Sequence, residues 1–257
     1  MAKFVPYLSE EQIERDAAAL LAEYARARGV VIAPPIPIED IVEKHLKLGI
    51  EFDDIHRLFN VPRSGLGRDP DILGAMFFEE ARIVIDESLD PEEYPVKEGR
   101  YRFTLAHEGG GHWRLHRQLF AKDPAQAALF GGPSEPSVVC RSSQAKERVE
   151  WQADCYSSCL LMPKNLVIEA WRERFGNTNA RIAKRKNRLM WPVDSNHEAA
   201  EIFRSFDRQR NDEVMNEFAR PFAEKFHVSM VAMRIRLERL GLLHGEVPRQ
   251  RSFTVGI

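Results

Sequence analysis

Three histidines and a glutamate crowd one short stretch of the chain, Phe103-Thr104-Leu105-Ala106-His107-Glu108-Gly109-Gly110-Gly111-His112-Trp113-Arg114-Leu115-His116. Imidazoles and a carboxylate so close together are metal chemistry before they are anything else. In the motif H-E-x-x-H on a helix, the histidines lie about 40° apart in projection, so both reach one ion. The glutamate between them faces a water and takes its proton. Here the gap is one residue longer. Five residues span about 140° in a regular α-helix, which points His112 away from His107. A π-bulge, with its i to i+5 repeat, brings the pair back into line. Three consecutive glycines permit such a bulge, although each weakens a helix by about 1 kcal/mol relative to alanine. Close approach of a substrate backbone, or room for the bulge, is a reason to have them. A second register pairs His112 with His116 at ideal spacing, with Glu108 one turn earlier. It leaves no glutamate directly after the first histidine to act as base, and it ranks second. Outside that register His116 reads as a structural histidine one turn beyond the site.

Two histidines need a third ligand, and Glu147-Arg148-Val149-Glu150-Trp151-Gln152-Ala153-Asp154 offers one. Glu150 and Asp154 lie one helical turn apart. In metallopeptidases that bind zinc through two histidines and a glutamate, an E-x-x-x-D pair supplies the acidic ligand. Its aspartate orients a ligand histidine by accepting the free ring N–H, and the fourth position stays open for water. A solvated helix face is the plainer reading of these acids. The flanking Ala153, Cys155, Leu160 and Leu161 argue against it. The expected site is therefore zinc on His107, His112 and Glu150, with Glu108 as general base and Asp154 behind the ligands.

Around these segments the pattern predicts an α+β chain. Residues 8–28 read as a helix, with Ser9 as cap, Glu11 and Gln12 placed about where a capping box wants its acceptor, and Ile13, Ala17, Leu20, Leu21 and Tyr24 at helical spacing. Pro34, Pro35 and Pro37 break the pattern, and Ile38 to Leu46 reads as a shorter helix. Residues 49–53 read as a strand. Gly74–Phe78, a turn at Glu79-Glu80, and Arg82–Asp86 read as a β-hairpin. Residues 87–99 read as loop, 100–118 and 145–162 as the two motif-bearing helices, and 121–144 as a long connection. Residues 196–220 and 229–241 read as helices.

The segments resemble, in order, the ImmA/IrrE metallopeptidases. Arg102-Phe103-Thr104-Leu105-Ala106-His107-Glu108, with His112-Trp113-Arg114-Leu115-His116, looks like their first site helix. Glu150-Trp151-Gln152-Ala153-Asp154, ending in Leu160-Leu161-Met162-Pro163, looks like their second. The Pro34–Ile41 segment and the hairpin ending Ile83-Val84-Ile85-Asp86 follow the same order. The resemblance covers roughly residues 8–165, and the C-terminal helices more weakly. It implies a zincin-like fold and zinc-dependent endopeptidase action on a helix-turn-helix repressor, with His107 and His112 as histidine ligands, Glu150 as acidic ligand and Glu108 as base. The family carries H-E-x-x-H, and the extra glycine here departs from it. A catalytically degenerate DNA- or protein-binding regulator is the alternative that this departure keeps open.

The expected organisation is a metallopeptidase domain over 1–165, a connecting segment over 166–195, a helix-turn-helix-like module over 196–244 and a loose tail over 245–257. In that module Ser229 caps, Gly241 stops the last helix, and Arg234, Arg236 and Arg239 are candidates to meet phosphates. DNA binding is not favoured, because the local positive excess is small; a helical module packing on protein is. The basic run Arg181, Lys184, Arg185, Lys186 and Arg188 reads as solvated surface. The 257 residues carry a net charge of -2, which gives no global case for nucleic acid or membrane. Cys140, Cys155 and Cys159 form no disulfide framework. With no apolar segment fit for a signal peptide or membrane span, the cytoplasm is the expected address. Oligomeric state is not legible.

Overall fold

A computed structural model describes residues 5–60, 72–120, 138–141, 148–183 and 197–245. It is an α+β structure, mostly helical with a small mixed sheet. The chain divides into two compact units, residues 1–167 with 224–229, and residues 168–223 with 230–257.

The first unit opens with helix α1, Glu10–Arg28, which starts where the sequence places it. The Ser9 side chain accepts from the Gln12 N–H, and the Gln12 side chain accepts from the Ser9 N–H at 2.8 Å, a complete capping box. Gly29 ends the helix in the left-handed region, at φ 65°. The buried face is Ile13, Ala17, Leu20, Leu21 and Tyr24, the five residues the periodicity selects. Ser9→Ala removes one arm of the box and is expected to cost about 1 kcal/mol, read from the urea midpoint.

After a short helix at Ile38–Asp40 that widens into a π-turn at Ile41–His45, a four-stranded sheet forms in the order β1-β3-β2-β4. The strands are β1 Gly49–Asp53, β2 Ile72–Phe77, β3 Arg82–Asp86 and β4 Val138–Arg141. β2 and β3 are the expected hairpin, paired Gly74 to Ile85 through Phe77 to Arg82. β1 runs parallel to β3, and β4 runs antiparallel to β2. β4 lies inside the stretch expected to be connection. Its four residues belong to a strand only because β2 is there to pair with, and the remainder of 121–144 lies outside the described residues.

β2 is buried along its whole length. Ala75 and Phe77 join Ile55, Ile72 and Val84 in one apolar cluster. Between Ile72 and Gly74 the pairing with β4 slips register. Such an irregularity re-aims neighbouring residues, and Gly74 is the one turned to the candidate site.

The two motif-bearing helices dominate this unit. The first, here the histidine helix, begins at Glu98, inside the expected loop. It is α-helical over Glu98–Leu105, π-helical over Ala106–His116 and α-helical again over Arg117–Phe120. The second, the carboxylate helix, is Arg148–Leu161. It packs on both the histidine helix and α1. Arg114 ties the three together. Its guanidinium forks onto Glu23 at 2.8 and 2.9 Å, and its Nε donates to Asp16 at 3.0 Å. Asp16 also accepts from the Tyr156 hydroxyl at 3.0 Å.

In the second unit the expected connecting segment 166–195 turns out to hold regular structure. A helix spans Lys164–Phe175, and β5, Arg181–Ala183, pairs in parallel with β6, Leu243–Gly245. Val167, Ala170 and Trp171 are the helix's buried stripe, at i, i+3 and i+4. Trp171 is fully buried and stacks on Phe222 at 5.4 Å, with Phe175 and Phe218 in the same group. Lys184, Arg185, Lys186 and Arg188 of the basic run, and the tail beyond Gly245, lie outside the described residues.

The helices His197–Phe226 and Met230–Arg239 form as expected, but the arginines do not face outward together. Arg236 is buried at 1% exposure, and Arg234 pairs with Asp212 at 3.2 Å and Glu238 at 3.3 Å. The turn between the helices belongs to the first unit. There His227 Nδ1 lies 3.0 Å from Glu98, and Gly99 lies against the backbone of Val228 and Ser229. Arg236 is thus held inside the protein, and Arg234 is paired with acidic side chains near the surface. No helix among the described residues is long and apolar enough to cross a membrane.

Candidate metal centre

The surplus residue is absorbed by widening the helix. The π-form runs for 11 residues, from Ala106 to His116, instead of a single bulged turn. Its i to i+5 repeat puts His107 and His112 on one face, with ring centroids 4.6 Å apart. Both rings are buried, at 2% and 0% exposure.

Each of the three glycines lies where the protein's own elements come close. A Cβ on Gly109 would lie 2.7 Å from Val42, one on Gly110 2.9 Å from Leu160, and one on Gly111 2.7 Å from the Ala153 Cα. The last contact is with the backbone of the carboxylate helix. The absence of a side chain at 111 therefore sets how near the two helices lie.

That approach delivers the carboxylates. Glu150 Oε2 lies 3.1 Å from His107 Nε2, and its Oε1 lies 3.7 Å from His112 Nε2. Asp154 Oδ1 lies 2.9 Å from His107 Nδ1, where it accepts the ring N–H and leaves Nε2 facing Glu150. Donor atoms of His107, Glu108 and His112 all fall within 4.8 Å of one another, so this buried cluster can hold a metal ion. Glu150, on the second helix and outside that cluster, lies near both ring nitrogens.

Two buried groups here are short of partners. His112 Nε2 has none within hydrogen-bonding distance, and neither has either carboxylate oxygen of Glu108. Buried polar atoms are nearly always paired. A site with two imidazole nitrogens, one of them unpartnered, a neighbouring carboxylate and two unpartnered carboxylate oxygens fits a divalent cation.

Electrostatics separates the two glutamates. Burial pushes Glu108 up to about 8, with the neighbouring Glu150 and Asp154 adding to the rise against the opposing pull of His107. Burial raises Glu150 too, but the imidazoles of His107 and His112 beside it outweigh that rise and bring the carboxyl down to about 2. Burial also brings His112 down to about 4, so its ring is neutral, as a metal ligand must be. Burial thus favours the protonated form of Glu108, while Glu150 stays charged beside the rings.

His116 does not join the cluster as a ligand. Its Nδ1 lies 3.1 Å from Nδ1 of His112, and its Nε2 lies 2.9 Å from Gln152 Oε1. It stands beside His112, outside the cluster of His107, Glu108 and His112. Cys155 and Cys159 are thiols, not a disulfide, and both are buried on the carboxylate helix. Two residues that shape the site escape a sequence reading, Gly74 and Gln152. A Cβ on Gly74 would lie 2.9 Å from Glu108 Oε1 and 2.9 Å from Thr104 Cγ2, so this strand glycine makes the pocket for the Glu108 side chain. A glycine inside an apolar strand is the signal that points to it.

No protein-family model matches the chain, and no curated protein matches it either.

Proposed function

We propose that the chain is a zinc-dependent endopeptidase of the ImmA/IrrE type that cuts a peptide bond in a regulatory protein, a helix-turn-helix repressor. One observation carries this reading. Two helices bring His107, His112 and Glu150 together while Glu108, directly after the first histidine, lies buried beside them with both oxygens unpartnered. The repressor as substrate rests on the family resemblance alone, which is an analogy.

His107, His112 and Glu150 would hold the ion. Bound there, zinc supplies a Lewis acid that acidifies a water and polarises a carbonyl. Glu108 takes the proton from the attacking water at a carboxylate oxygen and passes it to the nitrogen of the leaving chain. A cation on the ligands would oppose the rise that burial causes and leave Glu108 charged to accept that proton. Asp154 holds His107 in the tautomer that presents Nε2. Gly74 leaves the Glu108 side chain the space it occupies.

Metal analysis tests the reading without a substrate. Purified protein is expected to carry about one zinc per chain, and chelation is expected to lower its melting temperature. His107→Ala and His112→Ala are each expected to lose the metal. Wild-type protein without zinc affinity would transfer the weight to the degenerate regulator.

A further inference from the structure

Gln152 and His116 lie behind the ring of His112, and neither belongs to the ligand set. The Gln152 amide is anchored first. Its Nε2 donates to the Pro6 carbonyl at 2.8 Å. Turning the amide round would set two oxygens against each other there, so Oε1 is the atom that faces His116, 2.9 Å from its Nε2. An amide oxygen only accepts, so that Nε2 carries the hydrogen. A neutral imidazole protonated at one nitrogen accepts at the other. The accepting Nδ1 of His116 lies 3.1 Å from Nδ1 of His112, which must therefore donate. The lone pair of His112 is then left on Nε2, the atom near Glu150 with no hydrogen-bond partner. The opposite arrangement needs a second proton on His116, a cation in a side chain with 0% exposure.

We propose that Gln152 and His116 are positioning residues, forming a relay from the Pro6 carbonyl that locks His112 in the tautomer and orientation presenting Nε2 to the metal. The inference rests on His107, His112 and Glu150 being a metal centre. It gives both histidines a support of their own, a carboxylate for His107 and an imidazole–amide pair for His112. It also explains the spacing of the carboxylate helix, in which Glu150 ligates, Gln152 anchors the relay and Asp154 orients the other ring.

Two measurements on the full chain test it. Zinc affinity is read by competition with a chromophoric chelator for wild type and Gln152→Met, which keeps the size and removes the acceptor. The variant is expected to bind about 10–100-fold more weakly. Long-range proton–nitrogen correlation spectra of the 15N-labelled, metal-free protein read the tautomers directly. In wild type His116 is expected to be protonated at Nε2 and His112 at Nδ1. In Gln152→Met both rings are expected to show mixed tautomers, a change that loss of packing alone does not produce. Wild-type His112 protonated at Nε2, or a folded Gln152→Met with unchanged zinc affinity, overturns the relay. Wild-type protein that binds no zinc overturns the metal centre instead, and the two failures are told apart because the tautomer spectra need no metal.

Discussion

Glu108→Gln is expected to bind zinc as tightly as wild type and to cleave its substrate at least about 10²–10⁴-fold more slowly, the usual range for losing a general base. The substitution keeps size and shape in a position where both matter, since the side chain has 0% exposure and fits against Gly74. What it removes is the capacity to take up and return a proton. The companion change Glu150→Gln should do the reverse and strip the metal, because the carboxyl brought down to about 2 is the one that stays charged beside both rings. Two carboxylates whose surroundings push them apart take different roles. Cleavage is followed by gel and mass spectrometry with co-expressed helix-turn-helix repressors. A Glu108→Gln variant that cuts at the wild-type rate sinks the base assignment. If the same variant loses zinc instead, Glu108 is a ligand.

The second large effect is expected from a methyl group. Gly111→Ala places a Cβ 2.7 Å from both Cα and Cβ of Ala153 and 3.1 Å from its carbonyl oxygen. Backbone cannot swing aside, so the carboxylate helix must move, and Glu150, Gln152 and Asp154 move with it. Overpacking of this kind costs about 1–3 kcal/mol, and the alanine gives back about 1 kcal/mol of helix propensity. Because the clash is with backbone, the upper end applies, for a net loss of about 2 kcal/mol together with weakened zinc binding. Gly109→Ala is the control. Its Cβ meets only the ends of Val42 and Ile83 at 2.7 and 3.3 Å. Val42 is buried and branched at Cβ, so its methyl yields only in part, but no backbone stands in the way and the net loss should be smaller than at 111. Denaturant unfolding compares the two. Equal stabilities would mean that the approach to Ala153 is not what residue 111 is for.

What can be read from the sequence is whatever local chemistry decides. α1 announces itself because Ser9 and Gln12 satisfy its first N–H groups and five apolar residues share one face. The hairpin does so because two apolar runs flank a polar turn. The ligand types are legible because metals choose few side chains. The length of the π-form is not. A single bulge would serve the two histidines, and the run to His116 reflects packing against Ala153, Tyr156 and Leu160, which lie about forty residues onward in sequence. β4 is hidden for the same reason, since Val138–Arg141 forms a strand only beside β2. The helix Lys164–Phe175 follows Pro163, a residue that can end one element or start the next, and Val167, Ala170 and Trp171 carry its period. Gln152 gains its meaning only with Pro6 and His116 standing on either side of it.

The widened turn also changes what a signature for such sites ought to encode. A rigid string that fixes the gap between the two imidazoles rejects this chain at once, yet the donors stand side by side. Azimuth around the axis is the quantity that survives an insertion, and residue count is only its proxy. Where small residues let a helix loosen its pitch, a tolerant gap paired with the acidic segment downstream would recover members that strict spelling discards.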